Sequence, residues 1–229
     1  MGYEKIERQL AQFDALVARL NLTIGDSPLA QSIQQVRDFL ADREAMAQED
    51  WLAKWDPHFK DFYDSQIAVG RLCDSVTRLQ GQADGTLRQY LKKILSGSLT
   101  QDFDPQEARD FFYELWIAGI LAEAGFSVTL EEPDITVQGN GLSQKLGIAC
   151  KYPSSEKQIH THINKALSQL QRHGLQGFVA IGLDQIILRE LFGSTFVDFN
   201  KGNKHPLDVL QSAIDAEVVK IVGERPKKY

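Results

Sequence analysis

Cysteine is scarce: Cys73 and Cys150 are the two in 229 residues, far apart and in no CxxC or Cys/His ligand spacing. Neither a disulfide framework nor a zinc site is indicated. Positive charge is not in excess either, since 25 Lys and Arg face 31 Asp and Glu for a formal charge of -6. That balance argues against a protein coated in nucleic acid, because phosphate binding rests on Lys and Arg displacing counterions, but it leaves room for a local basic face. No apolar run approaches the roughly 20 residues that span a bilayer, and no charged stretch followed by an apolar one opens the chain. The expectation is a cytoplasmic protein with no membrane partner. Nor is apolar content low: 43% hydrophobic and 24% charged residues are ordinary for a folded chain, so disorder is not the default.

Strand signals are missing before Ser96, and what stands there instead is helical spacing. Ile6, Leu10, Phe13, Leu16, Val17 and Leu20 recur at three- and four-residue steps. Leu29, Ile33, Val36, Phe39 and Leu40 repeat the pattern after a helix start at Asp26-Ser27-Pro28. A third helix is predicted after Asp56-Pro57, with Phe59, Phe62, Tyr63, Ile67, Val69 and Leu72 on its core side, and a short fourth from Thr86 to Leu95. Residues 1–100 therefore read as a helical bundle whose stripes pack against one another. Its surface is open to a second copy of the chain or to another protein partner. Trp51 and Trp55, four apart, fit core packing better than a groove. The stretch from Ser96 to Pro105, with Gly97 and Ser98, reads as a linker.

From residue 105 the pattern becomes α/β. A nearly all-apolar helix over 107–124 ends at Gly125, followed by strands at Phe126–Leu130, Ile135–Gln138 and Leu146–Cys150, a helix over 156–173 and an apolar strand at Phe178–Leu183. Gly139-Asn140-Gly141 supplies a tight turn, and a last helix is predicted from Pro206 to Val222. The order α-β-β-β-α-β implies a mixed sheet, with a hairpin feeding a strand that crosses over through a helix to a parallel neighbour.

Three charged residues interrupt this apolar frame: Glu114 within the first helix, Asp134 after Pro133 at a strand start, and Lys151 at the end of GIACK. An unpaired carboxylate on the Phe111/Ile117/Ala118 face costs several kcal/mol or shifts its pKa, so Glu114 needs a reason to be there. Taken singly, Asp134 reads as a turn former and Lys151 as a solvated strand end. Taken together, in this element order, residues 105–185 resemble the PD-(D/E)xK nuclease superfamily, the restriction-endonuclease-like fold. The resemblance implies hydrolysis of DNA phosphodiesters with Mg²⁺ or Mn²⁺. In it, Asp134 would be the central metal ligand, Glu114 an accessory ligand or base, and Lys151 the cation that positions water. It also implies phosphate or site contacts from the following helix at His162, Lys165 and Gln169, although plain chemistry reads these three as a solvated face opposite a buried side of Ile159, Ile163, Ala166, Leu167 and Leu170.

One position departs from the family. The acid expected two residues before the lysine is Ala149 here. The site is degenerate, or another acid has taken the place, Glu114 foremost and Glu131 or Glu132 if the strand bends, or the residue has been replaced. The alternative function is accordingly a nuclease-fold protein without catalysis, serving as a nucleic-acid-binding or assembly subunit.

Overall fold

The first helix, α1 (Tyr3–Arg19), is followed by α2 (Pro28–Ala45), α3 (Gln48–Trp55), α4 (Phe59–Arg78) and α5 (Asp84–Leu95) in a computed structural model of the chain. The structure describes residues 3–96, 106–139, 141–183 and 186, so the expected linker beyond Ser96 and the helix expected over 206–222 lie outside the described residues. Ser27 starts α2 as expected: its hydroxyl accepts from the Ala30 amide at 3.2 Å and Pro28 occupies the first turn, where no amide hydrogen is needed. The stripes predicted for α1 and α2 are all buried. They meet around Phe39, which stacks on Phe62 at 3.6 Å and meets the edge of Trp55 at 5.1 Å, while the Trp55 indole donates to Asp42 at 2.9 Å.

Two expectations for this half fail. Phe59 and Tyr63, assigned to the core side of α4, are 53% and 51% exposed, while Phe62, Val69 and Leu72 of the same stripe are buried as expected and Val76 continues it. The separate helix α3 was not anticipated. It is short, and Ala47 at its start provides no side-chain cap, so only Glu49 and Asp50 in its first turn favour it locally.

The second half is built from α6 (Gln106–Glu123), β1 (Ser127–Glu131), β2 (Asp134–Gln138), β3 (Leu146–Lys151), α7 (Ile159–Arg172) and β4 (Gly177–Ile181). A single 3-10 turn, Glu156–Gln158, precedes α7, so the predicted helix start at 156 is three residues early as α-helix. The sheet runs β1-β2-β3-β4, antiparallel across the first two pairs and parallel between β3 and β4. This is the mixed sheet expected, with α7 as the crossover.

Side-chain alternation splits the sheet faces. Ile135, Val137, Ile148 and Cys150 join the core that includes Tyr113, Leu115 and Ala118 of α6, whereas Ala149 packs with Ala166 and Leu170 of α7. Helix α6 thus lies between the sheet and helices α4 and α5, which explains its apolar character on all sides. The approach of α4 is close enough that a Cβ on Gly119 would sit 2.9 Å from the Ser75 Cα. One buried cluster runs from Ile6 to Cys150 through these helices and the sheet.

The exposed edge of β1 is covered from the loop between α4 and α5. Gln82 donates to the Val128 carbonyl at 2.6 Å and accepts from the Leu130 amide at 3.4 Å, occupying the positions a further strand would use. No helix among the described residues is long and apolar enough to cross a membrane.

Candidate functional site

Asp134 opens β2, on the sheet face that α7 covers, and β3 runs beside it in the register Ile135↔Ile148. One further step of that register brings β3 residues 149 to 151 next to Asp134. The result is a carboxylate with donors on both oxygens. Oδ2 accepts from the Cys150 amide at 2.7 Å and from the Lys151 ammonium at 3.1 Å; Oδ1 accepts from the Gln169 amide at 2.9 Å. Lys151 also donates to the Cys150 carbonyl at 2.7 Å. The Asp134 and Lys151 side chains are only 13% and 19% exposed, so each charge depends on the other for compensation.

Gln169 comes from α7, next to Leu170 and three residues after Ala166, the two residues that pack this helix on Ala149 of β3. Its amide nitrogen also reaches Glu132 Oε2 at 3.0 Å and the Pro133 carbonyl. It therefore orients Asp134 and ties the β1–β2 turn to α7. Gln169 also lines the groove beside Lys151, on the helix where a nucleic-acid contact was expected of it.

Glu114 approaches from α6. Its Oε2 accepts from the Tyr90 hydroxyl of α5 at 3.0 Å. Burial, then the negative charge of Asp134, push its carboxyl up to about 8, so it is largely protonated at neutral pH. Asp110, one helical turn earlier, is pushed up to about 6 by burial and feels both Lys151 and Asp134. Its buried Oδ1 has no hydrogen-bond partner. Sequence reading missed Asp110 and Tyr90. The i, i+4 spacing of Asp110 and Glu114 on one helix face was the available signal for the first; nothing local pointed to the second.

Ala149 is fully buried, on the face that carries Asp134 and against Ala166 and Leu170. Glu131 does not replace the missing acid: it accepts from Thr136 at 2.6 Å and pairs with Lys145, which holds its carboxyl below the usual range. Glu132 is exposed and pairs with His173 at 3.6 Å.

Beside Lys151 and Gln169 lies a groove of about 790 Å³, lined along α7 by Thr161, Asn164, Lys165, Ser168 and Arg172. Lys165 is exposed there. His162 does not line it: its Nδ1 is buried without a partner, and burial followed by the charges of Lys165 and Lys151 lowers its pKa. Leu167, expected on the buried side of α7, is 47% exposed.

The donors on offer here are oxygens: the Asp134 carboxylate and the Cys150 carbonyl, both accepting from Lys151, and the Glu114 carboxyl, which feels the Asp134 charge. A hard cation of the Mg²⁺ kind takes oxygen ligands of this chemistry, one or two carboxylates with most of its waters. Among the described residues no three His, Cys, Asp or Glu side chains stand together as a metal-holding group. Against protein-family models, curated proteins and solved structures, the chain gives no match.

Proposed function

We propose that the protein is a Mg²⁺-dependent hydrolase of DNA phosphodiesters, of the PD-(D/E)xK nuclease class, with a restriction-endonuclease-like fold over the stretch from α6 to β4. The observation that carries this reading is the hydrogen-bonded cluster of Asp134, Lys151 and Gln169, of which Lys151 and Gln169 line a groove together with Lys165, Arg172 and Glu132. Asp134 is the residue to hold the metal, with Glu114 and the Cys150 carbonyl as further oxygens. Held by these oxygens, a divalent ion would supply an acidified water and neutralise charge on the phosphoryl oxygens. Lys151, as an ammonium, orients the attacking water by donating to its oxygen or stabilises the negative charge that builds on the phosphoryl oxygens. Gln169 fixes the Asp134 carboxylate, and Lys165 and Arg172 receive neighbouring phosphates.

A second reading is a nuclease fold used for nucleic-acid binding without cleavage. Two observations favour it: an apolar residue fills position 149, and Lys151 already neutralises Asp134 at 3.1 Å. The two readings separate on plasmid and linear DNA with Mg²⁺ or Mn²⁺, comparing the chain with Lys151→Ala and Ala149→Glu. Cleavage by the unaltered chain that Lys151→Ala abolishes supports the enzyme. Cleavage by Ala149→Glu alone supports the binding protein, and neither cleavage nor binding by any of the three rejects both.

A further inference from the structure

The helices before residue 97 contribute one polar side chain to this site. Tyr90 lies on α5, whose Leu87, Leu91 and Ile94 are fully buried and anchor the helix in the shared core. Its ring meets the edge of Phe111 of α6 at 5.0 Å and 88°, which fixes the direction of the phenol. The hydroxyl, on a residue only 9% exposed, ends 3.0 Å from Glu114 Oε2. Burial first, and the nearby Glu114 carboxyl next, push the phenol far above its ordinary range, so it stays a donor.

Glu114 has reason to need such a donor. Its carboxyl is largely removed from water beside Asp134 and Asp110, so a protein donor stands in for the water it has lost. A single hydrogen bond from a ring fixed by its neighbours holds Glu114 Oε2 toward α5.

We propose that Tyr90 is a positioning residue for Glu114, and that the N-terminal helices are thereby part of the hydrolytic unit and not an appended module. The proposal rests on the metal-dependent reading above. Outer-shell partners of this kind change metal affinity by roughly tenfold or more when removed.

The test is calorimetric titration of the full chain with Mg²⁺, for the unaltered protein, Tyr90→Phe, Glu114→Asp and the double variant, with thermal midpoints recorded alongside. Tyr90→Phe removes one oxygen and keeps the ring, so the core is preserved. Glu114→Asp keeps a carboxylate but draws it back from the hydroxyl. The expected result is a roughly tenfold loss of Mg²⁺ affinity for Tyr90→Phe in the native background and none in the Glu114→Asp background. Equal affinity of Tyr90→Phe and the unaltered chain overturns the proposal and leaves the metal site standing. An equal loss in both backgrounds also overturns it, since that is the mark of a merely structural role. Failure of the unaltered chain to bind Mg²⁺ overturns both the proposal and the reading beneath it.

Discussion

Glu114→Gln should flatten the dependence of stability on pH. In the folded chain burial and Asp134 raise the Glu114 carboxyl from its ordinary 4.5 to about 8. A raised carboxyl binds its proton more tightly folded than unfolded, so its stabilising contribution is complete below 4.5 and is lost as pH rises to about 8. At about 1.4 kcal/mol per pH unit, the loss over that window is on the order of 5 kcal/mol, a large share of the stability of an ordinary domain. Asp110 adds a smaller loss in the same direction between 3.8 and about 6. Glutamine keeps the shape and the acceptor for Tyr90 but has no proton to lose. Urea denaturation in chelator at about pH 5 and about pH 9 reads the difference directly. The native chain should lose several kcal/mol between the two conditions and the variant markedly less, making the variant the more stable protein at the alkaline end. Parallel losses in the two proteins would refute a buried, ionisation-resistant Glu114.

Asp134→Ala leaves the Lys151 ammonium, the Cys150 amide and the Gln169 amide without their acceptor, and thermal unfolding should show a cost of about 2–4 kcal/mol. Gly177→Ala places a Cβ 1.7 Å from the Gly147 carbonyl oxygen between β3 and β4; a loss above about 3 kcal/mol, or no soluble protein, is expected in the same assay. Ala149→Glu inserts a carboxylate between β3 and α7 and should destabilise the metal-free chain by about 1–3 kcal/mol, with part of that recovered on adding Mg²⁺. Lys165→Glu and Arg172→Glu should weaken DNA binding across sequences, and each should reduce the salt slope by about one, measured by fluorescence anisotropy.

Much of the second half was legible because its local signals agree. Gly125 adopts φ +87 after α6, Gly139 and Gly141 take φ +95 and +78 in the β2–β3 turn, and the apolar runs fall on the observed strands. Pro133-Asp134 and GIACK then set two charges at known points of a sheet, and a register that pairs Ile135 with Ile148 brings them together. Contacts between distant segments left no such trace. Tyr90 reaches Glu114 from 24 residues away, across a segment that reads as a linker. Gln169 reaches Asp134 from 35 away, a distance that spacing on α7 alone does not reveal. Amphipathic spacing also overstated burial at Phe59, Tyr63 and Leu167, since a helix seated on one side needs only a narrow stripe and its flanking apolar residues stay in water.

Cleavage of end-labelled duplex DNA in Mg²⁺, with the unaltered chain and Asp134→Asn side by side, bears most directly on the proposed site. Asparagine keeps the size of Asp134 while removing the charge that a metal and Lys151 both require. Products from the unaltered chain and none from Asp134→Asn are expected. Equal cleavage by both proteins would place the activity elsewhere, and no cleavage by either would leave the cluster of Asp134, Lys151 and Gln169 as an internal ion-pair network and not a catalytic one.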